Sequence, residues 1–386
     1  MNRFDNQTGS IAGVSRRHFM RTLAAALPAA ALARSARAAD EKLPPVRAIT
    51  RGPKFHWRGY YDKLLFDPTN RFVVSNEVDF EGRSPTADDS IRVGMTDLSD
   101  GDKWTELGST RAWNWQQGCM LQWMPGSESE VAWNDREGDQ FVSHFLDVKS
   151  GKKRTLPHPF YTISPDGRWA VAPDFRRLND TRPGYGYAGI ADPNRDKLAP
   201  DDAGIWKMDL QAGKQDLLFS FADAAKIPYA GGFSNGAKHW FNHLLVNTDG
   251  SRFLFLHRWR GDAEGRGWKT RMITMDPDGK NPFVLIASGK VSHFVWRDAT
   301  HVTAYAGHPQ TNEWRFITFE DRTGKFEVIG DGILNRGGDG HNTYVPRTNN
   351  QWIINDTYPD KERLQHPHLF HIPTNRRFHL RLHHTV

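Results

Sequence analysis

Three histidines stand at near-equal intervals in the second half of this 386-residue chain: His243, His293 and His341, separated by 50 and 48 residues. Neutral imidazole is a common ligand of zinc and other transition metals, so three of them carried to one place would make a divalent-metal site. A histidine at the start of a repeat also commonly hydrogen-bonds a backbone carbonyl, and the chain holds 17 histidines. A structural set of the kind found in WD repeats therefore stands beside the metal reading. Two arginine-bearing stretches could serve an anionic ligand. One is Asp174-Phe175-Arg176-Arg177-Leu178-Asn179-Asp180-Thr181-Arg182-Pro183-Gly184-Tyr185-Gly186-Tyr187; the other is His257-Arg258-Trp259. Arg176 or Arg258 could hold a carboxylate bidentately while tyrosines stack on a sugar. The same stretches can equally be read as ordered surface insertions held by internal Arg–Asp pairs.

Each of the three histidines lies four residues ahead of a tight turn. His243 opens the alternating run His243–Val246, which meets Asn247-Thr248-Asp249-Gly250 and then the run Phe253–Leu256. Asp-Gly between two such runs is a hairpin signal, because glycine accepts the positive φ that the turn requires. Equivalent turns fall at Asp67-Pro68, Met124-Pro125, Ser164-Pro165, Arg297-Asp298 and Val345-Pro346, which puts Lys63, Met120, Phe160, His293 and His341 in the same register. Around each turn the sequence reads as three or four short strands, with modules roughly 40 to 80 residues apart and no sustained amphipathic helix beyond the N-terminus. The pattern predicts an all-β chain, a β-propeller with six recognisable blades, occupying residues 59–386. The first strand of each blade lines the channel of such a fold, so positions in one register converge although they are far apart in sequence.

Composition agrees with a large folded domain. The chain is 38% hydrophobic, and its 34 glycines and 22 prolines favour many turns over long helices. Cys119 is the only cysteine, which excludes an intramolecular disulfide; it lies in the apolar stretch Cys119–Trp123 and reads as a small core residue.

Residues 1–38 read as an address. Ser15-Arg16-Arg17-His18-Phe19-Met20 looks like a twin-arginine motif, followed by the short apolar run Thr22–Ala33 and a small-residue cleavage pattern at Ala36-Arg37-Ala38. The run is shorter than the about 20 apolar residues that a membrane span needs. The reading is therefore a cleaved signal with a periplasmic or secreted product, no membrane attachment after cleavage, and a linker over 39–58. This leader carries six of the 51 basic residues and one of the 45 acidic ones, so its removal lowers the formal charge from +6 to +1. A balance near neutrality leaves no electrostatic footprint for nucleic acid.

The segments HLLVNTDGSRFLFLHRW, VSHFVWRDATHV and GHNTYVPRTNNQWIINDTYPD together resemble the oligogalacturonate lyase family of polysaccharide lyases and its exported relatives. The resemblance implies a seven-bladed propeller that cleaves oligogalacturonate by β-elimination, with a divalent ion, typically manganese, at the channel mouth. By blade position, His293 and His341 match the family's metal-ligand registers and His243 matches that of the base. Arg176 or Arg258 would then bind the substrate carboxylate. Around His341, where the family has a further His and a Gln, this chain has Gly338 and Thr343, and Gln116 or Gln117 ahead of the second blade is left to complete the shell. The seventh blade expected from the resemblance has no counterpart in the six modules.

Two other readings stand beside the lyase. One is a non-catalytic exported propeller that binds a glycan or protein at its channel face. The other is a hydrolase using Glu77, Asp79 and Glu81, which strand alternation explains more simply as a solvated edge.

Overall fold

The computed structural model describes residues 43–380 together with the backbone of 383–384. The twin-arginine signal read in residues 1–38 lies outside the described residues. Six four-stranded antiparallel sheets follow one another, each an up-and-down meander in which sequence neighbours are hydrogen-bonded neighbours. Blade one comprises Phe55–Trp57, Phe72–Val78, Ile91–Asp97 and Lys103–Thr110; blade two comprises Gln122–Trp123, Glu130–Glu137, Gln140–Asp147 and Lys153–Leu156. Blade three comprises Thr162–Ile163, Trp169–Pro173, Gly204–Asp209 and Gln215–Ser220; blade four, Lys238–Val246, Phe253–Arg260, Lys269–Met275 and Phe283–Ile286. Blade five comprises Val291–Trp296, His301–Gly307, Trp314–Glu320 and Phe326–Val328; blade six, Thr343–Tyr344, Trp352–Asn355, His368–His371 and Arg376–His379. The chain is a six-bladed β-propeller with few helices. Among the described residues no helix is long and apolar enough to cross a membrane.

Burial follows position within the blade. The second strand of blade one, Phe72–Val78, is buried along nearly its whole length, whereas the outer strand Lys103–Thr110 is largely exposed. A blade's inner strands are covered on both faces by the neighbouring blades, which removes the polar alternation that a one-sided sheet would show. Val74, Phe255 and Ile353 are completely buried in this way, and each such side chain stabilises the fold by about 1.5–3 kcal/mol.

The inner strands are irregular where they face the axis. In blade four, Asn242 pairs with Leu256 and Leu245 with Leu254, so two residues oppose one, and His243 takes a φ of 51°. In blade five, Val291 pairs with Ala306 and Phe294 with Ala304, which places His293 in the same kind of bulge. An extra residue bends the strand and re-aims its side chain. Blade one departs further: Trp57 pairs with Asn76 while Phe66 bridges Val73, so the residues between leave the ladder. Within this excursion a side chain at Gly59 would collide with the Gln117 carbonyl, so close approach of the two backbones needs glycine. Blade one thus begins at Phe55, inside the stretch read as linker, and residues 59–63 are an excursion from the strand rather than its start.

Two features lie outside the six meanders. Residues 383–384 form a short strand paired with Leu364-Gln365. The insertion after Pro173 opens with a short helix, Phe175–Thr181, capped by the Asp174 carboxylate, which accepts from the Arg176 and Arg177 amides. Arg177, completely buried, fixes the insertion by donating to Asp192 at 3.2 Å and to the carbonyls of Asn194, Lys197, Leu198 and His239.

Candidate functional site

The excursion in blade one supplies the centre of the site. The Tyr61 hydroxyl donates to the Phe294 carbonyl at 2.7 Å and accepts from the Phe294 amide at 3.0 Å, so a residue of blade one is fastened to the inner strand of blade five. Tyr60 stacks on the His243 ring, with centroids 4.9 Å apart and planes 16° apart, and lies 6.3 Å from His293 and 6.1 Å from His341. Three blades therefore present their histidines to one pair of tyrosines.

His293 and His341 are adjacent, with ring centroids 4.2 Å apart. His293 Nδ1 lies 2.9 Å from Asp339 Oδ1, and His341 Nδ1 lies 3.0 Å from Asp356 Oδ2. The His341 backbone amide also donates to Asp356 Oδ1 at 2.7 Å. Burial by itself would raise the Asp356 carboxyl, but hydrogen bonds from the His341 ring and backbone amide hold it below the ordinary carboxylate range. Each imidazole thus gives its Nδ1 proton to a carboxylate and leaves Nε2 as the free acceptor. That is the tautomer a metal ligand requires, with the orienting group already in place. The signal for Asp339 is local, in Gly338-Asp339-Gly340-His341. Asp356 lies across the next hairpin and is placed only by strand pairing.

His243 is reached differently. Its Nδ1 is 3.0 Å from both Gln117 Nε2 and the Tyr161 hydroxyl, and Gln117 Nε2 donates to that hydroxyl at 2.7 Å. Burial, then the guanidiniums of Arg258 and Arg182, push the His243 pKa well below the usual imidazole range, so the ring is neutral. With the proton on Nδ1, the Tyr161 oxygen accepts it and Nε2 is a base; with the proton on Nε2, the Tyr161 hydroxyl donates to Nδ1. The Gln117 amide takes part in the choice: its nitrogen, as placed, donates to Nδ1 and requires the proton on Nε2, whereas the amide turned end for end offers Oε1, otherwise buried without a partner, to Nδ1–H.

The two arginines named from sequence separate. Arg176 is engaged bidentately by Asp174, Nε to Oδ1 at 3.0 Å and Nη2 to Oδ2 at 2.7 Å, and faces a groove beside His158 and Trp206. It is not brought to the histidines. Arg258 is: it is 5% exposed and lines a cavity of about 710 Å³ whose walls include Arg182, Ser292, Asp339 and Tyr358. Tyr358 lies 6.0 Å from His293 and 6.4 Å from His341, so one wall residue of the cavity packs against the imidazole pair.

Of the remaining candidates, Gln117 reaches the cluster through His243 and Tyr161, and the others do not touch the three histidines. Gln116 Nε2 donates to the Tyr185 hydroxyl at 2.8 Å, and the side-chain carbonyl oxygens of Gln116 and Gln117 are buried without partners. Glu77 is not on a solvated edge as read from the sequence: it lies in the buried second strand of blade one, 8% exposed and held by Arg92 and His56. Cys119 is fully buried, and burial pushes its thiol pKa upward.

A divalent cation was tested against these donors. The Nε2 atoms of His293 and His341, with their carboxylate-held Nδ1 atoms, fit as two ligands. Among the described residues no group of three His, Cys, Asp or Glu side chains converges on one point. The other coordination positions would fall to water, a glutamine carbonyl or a bound ligand.

No family model matches the chain, and no curated protein matches it. Solved structures do. An oligogalacturonate lyase from Vibrio parahaemolyticus is 12% identical, with a TM-score of 0.56 over 88% of this chain and 82% of that one. An oligogalacturonate lyase in complex with manganese is likewise 12% identical, with a TM-score of 0.56 over 85% and 78% of the respective chains. TolB from Acinetobacter baumannii is 13% identical, with a TM-score of 0.41 over 74% of this chain and 58% of that one. Likeness to the two lyases at this identity establishes the propeller fold, and a shared fold does not carry an activity with it.

Proposed function

We propose that this protein cleaves oligogalacturonate or a related uronate-containing oligosaccharide by cation-assisted β-elimination. One observation carries the reading: of two adjacent imidazoles with carboxylate-held Nδ1 atoms, one is held by Asp339, which lines the same cavity as Arg258, a buried guanidinium with no carboxylate partner among the described residues. Likeness in fold to the two lyases supports it as analogy.

The chemistry follows from the groups. The proton α to a uronate carboxylate is weakly acidic, and its removal leaves enolate-like charge on that carboxylate. Arg258 binds the carboxylate and stabilises the charge as it develops, most strongly where water is excluded. Neutral His243 accepts the proton on Nε2 while the Tyr161 oxygen and the turned Gln117 carbonyl hold Nδ1–H; the enolate pair then forms the α,β double bond as the bond to the glycosidic β oxygen breaks, and that oxygen leaves with a proton from water. His293 and His341 would hold the divalent ion, of the manganese kind, which when bound supplies a second positive charge to the carboxylate. The proposed place of work is the periplasm or the cell exterior, reached through the twin-arginine leader read in residues 1–38.

The test is release of unsaturated, ultraviolet-absorbing product from oligogalacturonate and other uronate oligosaccharides, with and without manganese. His243→Ala is expected to lower the rate about 10²- to 10⁴-fold. Full release by that variant would remove His243 as the base. A second reading, a propeller that binds a glycan without cleaving it, is favoured by Tyr60 and Tyr61, which fill the space among the three imidazoles. Wild-type protein that binds uronate oligosaccharides but yields no product at any manganese concentration would establish it.

A further inference from the structure

Arg182 and Arg258 are set against the usual rule for buried charge. A buried guanidinium is ordinarily paired, because an unpaired one gives up its hydration for nothing. Arg177, only five residues from Arg182, obeys that rule with one carboxylate and four carbonyls. Arg258 does not: its Nε and Nη1 are buried without a hydrogen bond, and among the described residues no carboxylate forms an ion pair with it. Arg182 likewise has Nη1 buried and unpartnered. Its guanidinium lies 3.4 Å from the Tyr185 ring centroid and 4.5 Å from that of Trp268. Burial and the charge of Arg182 push the Arg258 pKa down to about 9, so the two cations oppose each other.

The acids of the cavity do not relieve this. Asp339 is committed to His293, and Glu264 accepts from the Gly261 amide at 2.8 Å and from the Ser234 hydroxyl. What the walls do provide is aromatic. Trp268, Trp314 and Tyr358 are the exposed tryptophans and tyrosine among the described large hydrophobic residues, at 37%, 37% and 56%, and all three line this cavity. Trp314 is stacked on Tyr305, with centroids 5.1 Å apart and planes 12° apart, so a flat face is held ready at the wall. Unpaired guanidiniums beside exposed aromatic faces suit a ligand that has both a carboxylate and a pyranose ring.

We infer that Arg182 and Arg258 together form one carboxylate seat, roofed by Trp268, and that Arg182, rather than Arg176 of the same stretch, is a specificity-determining residue for a sugar acid. The unpartnered nitrogens are the vacant half of the interaction; the ligand's carboxylate is the other half. Because Trp268 lies over both guanidiniums, at 4.5 Å from Arg182 and 5.7 Å from Arg258, entry of the anion changes the surroundings of its indole. The inference deepens the proposed function but requires only binding, not elimination.

The experiment uses the full chain with chelator present, so that neither the cation nor turnover contributes. Titration with a galacturonic acid dimer, its methyl ester and inorganic sulfate is followed by tryptophan fluorescence and by thermal melting. The acid dimer is expected to bind about ten- to a hundredfold tighter than its ester, the range for charge-assisted hydrogen bonds. Arg182→Gln is expected to reduce that ratio to about threefold or less, and Trp268→Phe to abolish the fluorescence change while binding persists. Arg258→Met, which removes an uncompensated buried charge, is expected to raise the melting temperature of the ligand-free protein and to lose the rise on adding acid dimer. Equal binding of acid and ester, sulfate binding tighter than the dimer, or an unchanged ratio in Arg182→Gln overturns the seat. Intact discrimination without unsaturated product in the manganese-replete assay leaves the seat standing and removes the lyase.

Discussion

His293 and His341 stand with ring centroids 4.2 Å apart, and each gives its Nδ1 to a separate carboxylate, Asp339 and Asp356. Removal of an orienting carboxylate typically weakens metal affinity 10- to 100-fold. Asp339→Asn and Asp356→Asn are therefore each expected to weaken manganese binding by that factor in calorimetric titration of the purified protein. Titration curves that superimpose on wild type would show that the carboxylates do not prepare a metal ligand.

Tyr61 joins blade one to blade five through both hydrogen bonds to Phe294. Tyr61→Phe keeps the ring and orphans a buried N–H and C=O, at a cost of about 1–3 kcal/mol. Denaturant unfolding should show this as a lower midpoint at unchanged slope. An unaltered midpoint would mean that the excursion rests in the axis without bracing it.

Arg177→Met tests the insertion. Its guanidinium has five acceptors and is completely buried with Asp192, so truncation abandons a buried carboxylate. Such a break costs about 3–5 kcal/mol. Loss of less than 1 kcal/mol in the same unfolding assay would contradict the anchoring role.

Acid should destabilise the protein before its carboxylates titrate. His239 and His368 are buried, and desolvation lowers both to about 4. In blade four, Arg271 Nε donates to His257 Nδ1 at 3.0 Å, and His257 Nε2 lies 2.8 Å from His239 Nδ1, so a further proton has no acceptor in this chain. Above about pH 6.5 these groups are neutral folded and unfolded, and they contribute no pH dependence. Between about pH 6.5 and about 4 the unfolded chain takes up protons that the folded one refuses, so stability falls as pH falls, by up to about 1.4 kcal/mol per pH unit for each group. Unfolding midpoints at pH 7, 6 and 5 measure this; a flat series would refute it.

Much of the frame was legible. The recurrent turns gave six modules, misplacing only the start of the first, and the register four residues before each turn brought His293 and His341 side by side and His243 within reach of both through Tyr60. The arginines were not resolved at that level. Arg176, Arg177 and Arg182 share one short stretch, yet the first closes on Asp174, the second on Asp192, and the third is left without an acid.

By itself, the sequence determined the meander, the number of modules and the channel register, because hairpin turns and strand alternation act over a few residues and leave their marks in order along the chain. Tertiary structure alone decided that a tyrosine pair from blade one fills the space among the histidines, that Asp339 and Asp356 turn the imidazoles, and that Arg182 and Arg258 share one cavity unpaired. Those outcomes depend on which groups compete for each partner once distant blades meet, and no local pattern records that competition.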